Sequence, residues 1–152
     1  MKFRLLLATA ALLLPQFASA NYDPNKIKQA LSDNSKLFLI TGWQQNPEKT
    51  VWIAQSQQKW LEITVGESVA EIVSPYINPR QISEGQKRCV AFAAAALSMN
   101  NDQGKQKLSK LLITSTQHHR LKSLEANGVR LEVTPRLVGA FVKLFCRVMP
   151  SQ

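Results

Sequence analysis

The two cysteines of this chain set the strongest limit on its fold. Cys89 and Cys146 are the only cysteines among 152 residues, and they lie 57 positions apart. An even cysteine count predicts a disulfide if the protein reaches an oxidising compartment. A bond that closes a loop of this length stabilises the folded chain by about 4 kcal/mol through lost unfolded-state entropy. Whatever folds between the two residues must therefore bring its ends together.

The N-terminal segment MKFRLLLATAALLLPQFASA has the three parts of a secretory signal peptide. Positive charges at 2–4, an apolar run over 5–14 and an A-x-A site at 18–20 follow in the expected order. The run is too short to cross a bilayer, which needs about 20 residues. We therefore expect a cleaved signal peptide at 1–20 and one helical domain at 21–152, located in the periplasm or secreted.

Positive charge is concentrated in the middle of the chain. The full sequence has a net charge of +9 at pH 7, and residues 80–122 hold eight basic and two acidic residues. Such a field speeds encounter with anionic partners. The alternative is an ordinary solvated helix face. The basic residues expected to form one surface are Lys105, Lys107, Lys110, Arg120 and Lys122.

Four pairs of a capping residue and a proline divide the remaining chain. Proline suits the first helical position because its missing N–H would have no partner there, and Asp, Asn or Thr caps the first turn. The pairs therefore predict four helix starts. Proline at the second position of a type I turn is the alternative. The pairs are Asp23-Pro24, Asn46-Pro47, Asn78-Pro79 and Thr134-Pro135.

Hydrophobic spacing supports a helical interpretation. Ile82, Cys89 and Ala96 are spaced by seven, which places them on one helical face. The C-terminal run 136–149 is apolar apart from a narrow basic stripe and predicts a mostly buried helix ended by Pro150.

The other segments complete an all-α prediction. Residues 67–77 read as a short helix, 102–127 as a kinked helix or two helices, and 129–133 as a short extended piece. The predicted fold is a single small disulfide-stapled helical domain of five to seven helices. Residues 48–66 fit either a helix or two strands, so the alternative is an α+β fold with a small sheet from residues 37–65.

Residues suited to catalysis or metal binding are few. The only histidines, His118 and His119, are adjacent, and helix neighbours point in different directions, which does not suit a metal site. No G-x-S-x-G motif and no glycine-rich phosphate loop occurs. Cys89 belongs to a packed row of the predicted helix, without the adjacent base that a reactive thiol needs. We expect no catalytic residue, no metal, no cofactor and no enzymatic activity.

The predicted function is therefore binding. Tryptophan is enriched in interface hot spots, and a helix would align Trp52 with Trp60. The candidate surface combines these two residues with the five basic residues above. We predict an exported module that sequesters or neutralises a partner, as immunity proteins and inhibitors do. The partner is expected to be another protein or an anionic envelope component; peripheral membrane contact is compatible with the charge, and nucleic acid is not expected.

Two other hypotheses rank below this one. The first is a structural, assembly or chaperone component of an envelope secretion or conjugation system. The second, less favoured, is an enzyme that acts on the cell wall through Glu62, Glu67 or Glu71.

Overall fold

The structure is a computed structural model that describes residues 22–58 and 60–151. The predicted signal peptide lies outside these residues. The elements are α1 (Pro24–Asp33), α2 (Ser35–Phe38), β1 (Ile40–Gln45), β2 (Val51–Ser56), β3 (Glu62–Gly66), β4 (Ala70–Pro75), α3 (Pro79–Ala96), α4 (Asp102–His118), β5 (Lys122–Ala126), β6 (Val129–Val138) and β7 (Phe141–Pro150).

The strands form one antiparallel sheet in the order β1-β2-β3-β4-β7-β6-β5. Strands β1 to β4 are one meander and β5 to β7 are a second. The chain crosses between them through α3 and α4, and the pairing of β4 with β7 joins the two meanders. This pairing runs from Ala70 opposite Val148 to Pro75 opposite Lys143.

The helices cover one face of the sheet. Along β6, Val129, Leu131 and Val133 are buried, while the residues between them are partly exposed. This alternation is what a strand shows when only one face is packed. Phe92 of α3 and Leu108 of α4 are fully buried in the same core. The domain therefore has two layers, helices on sheet.

The prediction of an all-α domain is wrong. The C-terminal run forms the β6–β7 hairpin rather than a buried helix. One face of β7 packs under the helices, and the other keeps Phe145 and Met149 partly buried, so apolar residues occupy both faces and hide the period of two. Pro135 is tolerated because β5 pairs with β6 only as far as Val133, and beyond it that edge is free.

The helix predicted after Asn46-Pro47 is also wrong. The Asn46 side chain accepts hydrogen bonds from the backbone N–H of Thr50 at 2.8 Å and of Val51 at 3.0 Å. It caps a hairpin turn between β1 and β2. The α+β alternative with strands in residues 37–65 is closer to the structure, since β1, β2 and most of β3 lie there. Its sheet is not small, and residues 67–77 contribute β4 instead of a helix.

The other two capping pairs do begin helices. Asp23 accepts hydrogen bonds from Asn25 N–H and Lys26 N–H at the start of α1. Asn78 accepts one from Gln81 N–H at 3.0 Å at the start of α3. In both cases proline occupies the first turn, as expected.

The prediction of a kinked helix or two helices over residues 102–127 is wrong, because one helix is followed by strand β5 at Lys122–Ala126. The helix continues from Asp102 to His118. The hydroxyl groups of Thr114 and Thr116 donate to the carbonyls four residues earlier, at 2.8 and 2.9 Å. This back-bonding gives the two hydroxyl groups hydrogen-bond partners within the helix.

The predicted disulfide is confirmed. Cys89 in α3 is bonded to Cys146 in β7, and both residues are buried. The bond therefore joins a helix to a central strand rather than two helices. It fits a protein of an oxidising compartment, outside the cell or in the periplasm. Within the described residues, no helix has both the length and the apolar character needed to cross a bilayer.

We expect the disulfide to be a main source of stability. The double variant Cys89→Ala/Cys146→Ala should lose about 2–5 kcal/mol of unfolding free energy, because the unfolded chain regains the entropy of an open loop. Urea denaturation followed by circular dichroism measures this loss. A reducing agent should destabilise the wild type similarly and leave the double variant unchanged; equal sensitivity of both proteins would contradict the prediction.

Candidate functional site

The tip of the β6–β7 hairpin exposes apolar side chains. Leu137 is 74% exposed and Phe141 58% exposed, and Val138 is also exposed. The register places Leu137 beside Val142, and Val138 beside Phe141. The hairpin extends past both of its neighbours, because β5 stops opposite Val133 and β4 stops opposite Lys143. Among the described residues, no third strand pairs with the tip, and Leu137, Val138 and Phe141 are exposed to solvent.

Trp60 and Ile77 enlarge this apolar surface. Trp60 is 62% exposed, and Ile77 is exposed as well. Both line a cavity of about 250 Å³ together with Pro75, Phe141 and Val142. The lining of this cavity includes Phe141 and Val142 of the tip but not Leu137 or Val138, and the register places Leu137 on the hairpin face opposite Val138 and Phe141. We call the following five side chains the hairpin-end patch: Trp60, Ile77, Leu137, Val138 and Phe141.

A polar cavity adjoins the patch. It has a volume of about 340 Å³ and shares Trp60, Pro75 and Gln81 with the apolar cavity. The Gln81 side-chain oxygen is buried and accepts no hydrogen bond from the described part of the chain. A buried acceptor without a donor is costly and uncommon in folded proteins. A hydrogen-bond donor in the cavity, on a solvent molecule or on a bound partner, would satisfy it.

The polar cavity carries excess positive charge. Arg80 and Arg88 both pair with one carboxylate, that of Glu84, at 3.1 and 3.6 Å. The Arg88 side chain is buried and also donates from Nε to the Leu37 carbonyl at 3.0 Å. Burial lowers the pKa of Arg88, and the negative charge of Glu84 opposes this change. The guanidinium remains charged, because arginine is not deprotonated in proteins.

Two of the three acidic residues that suggested an enzyme form ion pairs, and Lys143, the partner of Glu62, lines the apolar cavity. Glu62 bonds Lys143 at 2.7 Å, and Glu71 bonds Arg147 at 2.7 Å. Both pairs lie on the sheet face opposite the helices. Glu67 is exposed in the turn between β3 and β4.

The structure does not bring the predicted basic residues into one surface. Lys107 and Lys110 line a cavity at the α3–α4 turn. Lys105 lines a different groove, between the two helices. Arg120 and Lys122 follow the end of α4.

The two predicted tryptophans are also separated. Trp52 lies in β2, partly buried against the core, with the Lys28 ammonium 3.5 Å from its ring centre. Trp60 lies in the loop before β3 and belongs to the hairpin-end patch. Of the predicted site residues, only Trp60 is in the patch.

Sequence reasoning missed the remaining residues of the patch because it placed them in helices or a buried run. One signal was available in RLVGAFV, where Gly139 separates two short apolar stretches. Gly139 has φ +61° at the hairpin turn, a backbone conformation that glycine adopts readily.

The histidines lie at the end of α4 and are exposed. In residues 22–58 and 60–151, no group of three or more His, Cys, Asp or Glu residues is arranged to hold a metal ion.

Comparison with protein families, with curated proteins and with solved structures found no match to this chain. Any role of the hairpin-end patch therefore has to be inferred from the chemistry of its side chains.

Trp60 should dominate the solvent-accessible fluorescence of the protein. Trp43 and Trp52 are partly buried, whereas most of the Trp60 surface contacts solvent. Trp60→Phe should therefore remove most of the emission that acrylamide quenches. Trp43→Phe is the matched control and should leave a larger quenchable fraction. Similar Stern–Volmer constants for the two folded variants would contradict the exposure of Trp60.

Proposed function

We propose that this protein is an exported protein-binding module that sequesters or neutralises its partner through the hairpin-end patch. The observation that carries the proposal is that three exposed apolar side chains, Trp60, Ile77 and Phe141, line one cavity with the buried Gln81 oxygen, which accepts no hydrogen bond from the described residues. The hairpin tip beside it also exposes Leu137 and Val138. Interfaces have this composition: an apolar centre rich in aromatic residues, with polar groups at the rim.

The two cavities suggest how a partner segment would bind. An apolar side chain of the partner would enter the cavity between Trp60 and Phe141, as an anchor residue does in a binding hot spot. An adjacent N–H of the partner would donate to the free oxygen of Gln81. A carboxylate on the same segment would be attracted by Arg80 and Arg88, since Glu84 balances only one of the two charges.

The patch is held on a firm support, which favours binding. The tip continues from the longest hairpin of the sheet, whose strand β7 pairs with β4 and β6. The Tyr76 N–H donates to the Val142 carbonyl at 3.0 Å and ties the loop that carries Ile77 to the tip. A surface that is already ordered loses less entropy when a partner binds.

The test uses the protein without residues 1–20 as bait on extracts of cell envelopes and of competitor cells. The wild type should recover a stoichiometric partner, and Leu137→Ser/Phe141→Ser should not. The matched control is Ile113→Ser/Leu121→Ser, which removes two exposed apolar side chains outside the patch and should retain the partner. With the purified partner, Trp60→Ala should raise Kd about tenfold or more.

Two results would contradict the proposal. One is the absence of any stoichiometric partner in all extracts. The other is equal recovery by the patch variant and the control, because binding would then not use the hairpin end.

A substitution at Gln81 should lower the affinity for the partner without lowering the stability of the fold. Gln81→Met removes the unpaired oxygen at similar side-chain length, so the unfolding free energy should stay constant or rise by about 1 kcal/mol. Partner affinity should fall, since the donor on the partner then has no acceptor. Urea denaturation and calorimetric titration measure the two effects. A large loss of stability would show that Gln81 serves the fold instead.

A further inference from the structure

A cavity of different chemistry lies between α3 and α4, among residues that take no part in the hairpin-end patch. Its volume is about 430 Å³, within the range of small-molecule sites. The floor is apolar and is formed by Val90 and Ala91 of α3 with Leu112 and Ile113 of α4. The lining of α3 extends from residue 83 to residue 91, so the groove is about 12 Å long at 1.5 Å per helical residue.

Positive charge stands on both walls of this groove. Lys87 belongs to α3 and Lys105 to α4, and both residues are exposed. Neither lysine forms an ion pair with a carboxylate in residues 22–58 or 60–151. None of the described residues that line the groove is acidic. Each ammonium group is therefore available to bind an anion beside the apolar residues of the groove.

The alanine-rich part of α3 helps to form the groove. Ala91 is partly exposed in the lining, where a longer side chain would fill the space between the helices. The helices are held together beside it by a hydrogen bond from Gln86 Nε2 to Thr116 Oγ1 at 3.2 Å. The groove thus lies between two fixed walls.

We infer that the α3–α4 groove binds a single-chain amphiphile with an anionic head, the hydrocarbon chain lying on Val90, Ala91, Leu112 and Ile113 and the head at Lys87 or Lys105. The two lysines stand toward opposite ends of these apolar residues, because α3 and α4 are antiparallel. The complementarity of charge selects the head, because a cation would be repelled by both walls. The apolar floor selects the chain, because burying hydrocarbon removes apolar surface from water on both sides.

The same helix provides a matched control. Lys107 lies about 200° around α4 from Lys105, given 3.6 residues per turn. It lines the cavity at the α3–α4 turn together with Lys110. Removing Lys107 and Lys110 changes the net charge as much as removing Lys87 and Lys105. A groove site depends on which pair is removed, whereas a general attraction between a basic protein and an anion does not.

The test is calorimetric titration with dodecyl phosphate below its critical micelle concentration. Wild type should show saturable binding to a single site. Lys87→Gln/Lys105→Gln should weaken it about tenfold, because the head then has no charge contact at either end of the groove. Lys107→Gln/Lys110→Gln should retain the wild-type Kd within about twofold. Ile113→Ser, which alters an already exposed side chain, should also weaken binding.

Two further ligands separate head from chain. Dodecyl phosphocholine has the same chain with a neutral overall head, and inorganic phosphate has the charge without a chain; both should bind at least about tenfold more weakly. The inference is overturned if dodecyl phosphate does not bind, if both lysine pairs matter equally, or if phosphocholine binds as well. It is also overturned if binding occurs only to micelles or vesicles. Circular dichroism of each variant confirms that it is folded.

Discussion

The antiparallel pairing of β4 with β7 holds the two halves of the sheet together. Six residues of β4 pair with β7, and the disulfide lies beside this seam, since Cys146 is opposite Ile72. The bond links the seam to α3, the helix that crosses it. Without this pairing, two meanders would each have an unprotected edge, and the core beneath the helices would be split. The hairpin tip and the α3–α4 groove both depend on elements anchored here.

The two proposed sites arise from the same arrangement in different ways. The hairpin tip is exposed because β6 and β7 are longer than the strands beside them, so their last residues pass the edge of the core. The groove is open because one side of the α3–α4 pair packs on the sheet and the other faces solvent. The first site therefore results from strands that are longer than their neighbours, and the second from the space between two helices. The two sites use different side chains, although α3 supplies residues both to the cavities beside the tip and to the groove.

The sequence predicts a helix start correctly where the hydrogen bonds of one capping residue determine the first turn. Asp23 and Asn78 cap helices because the chain after them has helical periodicity and their side-chain oxygens reach the first-turn amides. Asn46 has the same chemistry, yet its oxygen accepts from Thr50 and Val51 across a hairpin turn. The capping residue and the proline cannot distinguish these outcomes, because both place the same acceptor near free N–H groups. What decides is whether a neighbouring strand is available.

The sequence by itself determined the cysteine pairing, two helix starts and the extended piece at 129–133. It did not determine which candidate residues are exposed. The pairing follows from there being two cysteines, and the helix starts from local hydrogen bonding. Tertiary structure alone decided that the C-terminal run is a hairpin, since its faces meet different surroundings that a sequence period cannot reveal. It also decided which residues line a cavity together. Trp60 and Phe141 come from distant segments and line one cavity, and Lys105 lines a groove with Lys87 rather than with Lys107. Long-range packing sets which side chains meet, and that information is spread over the whole chain.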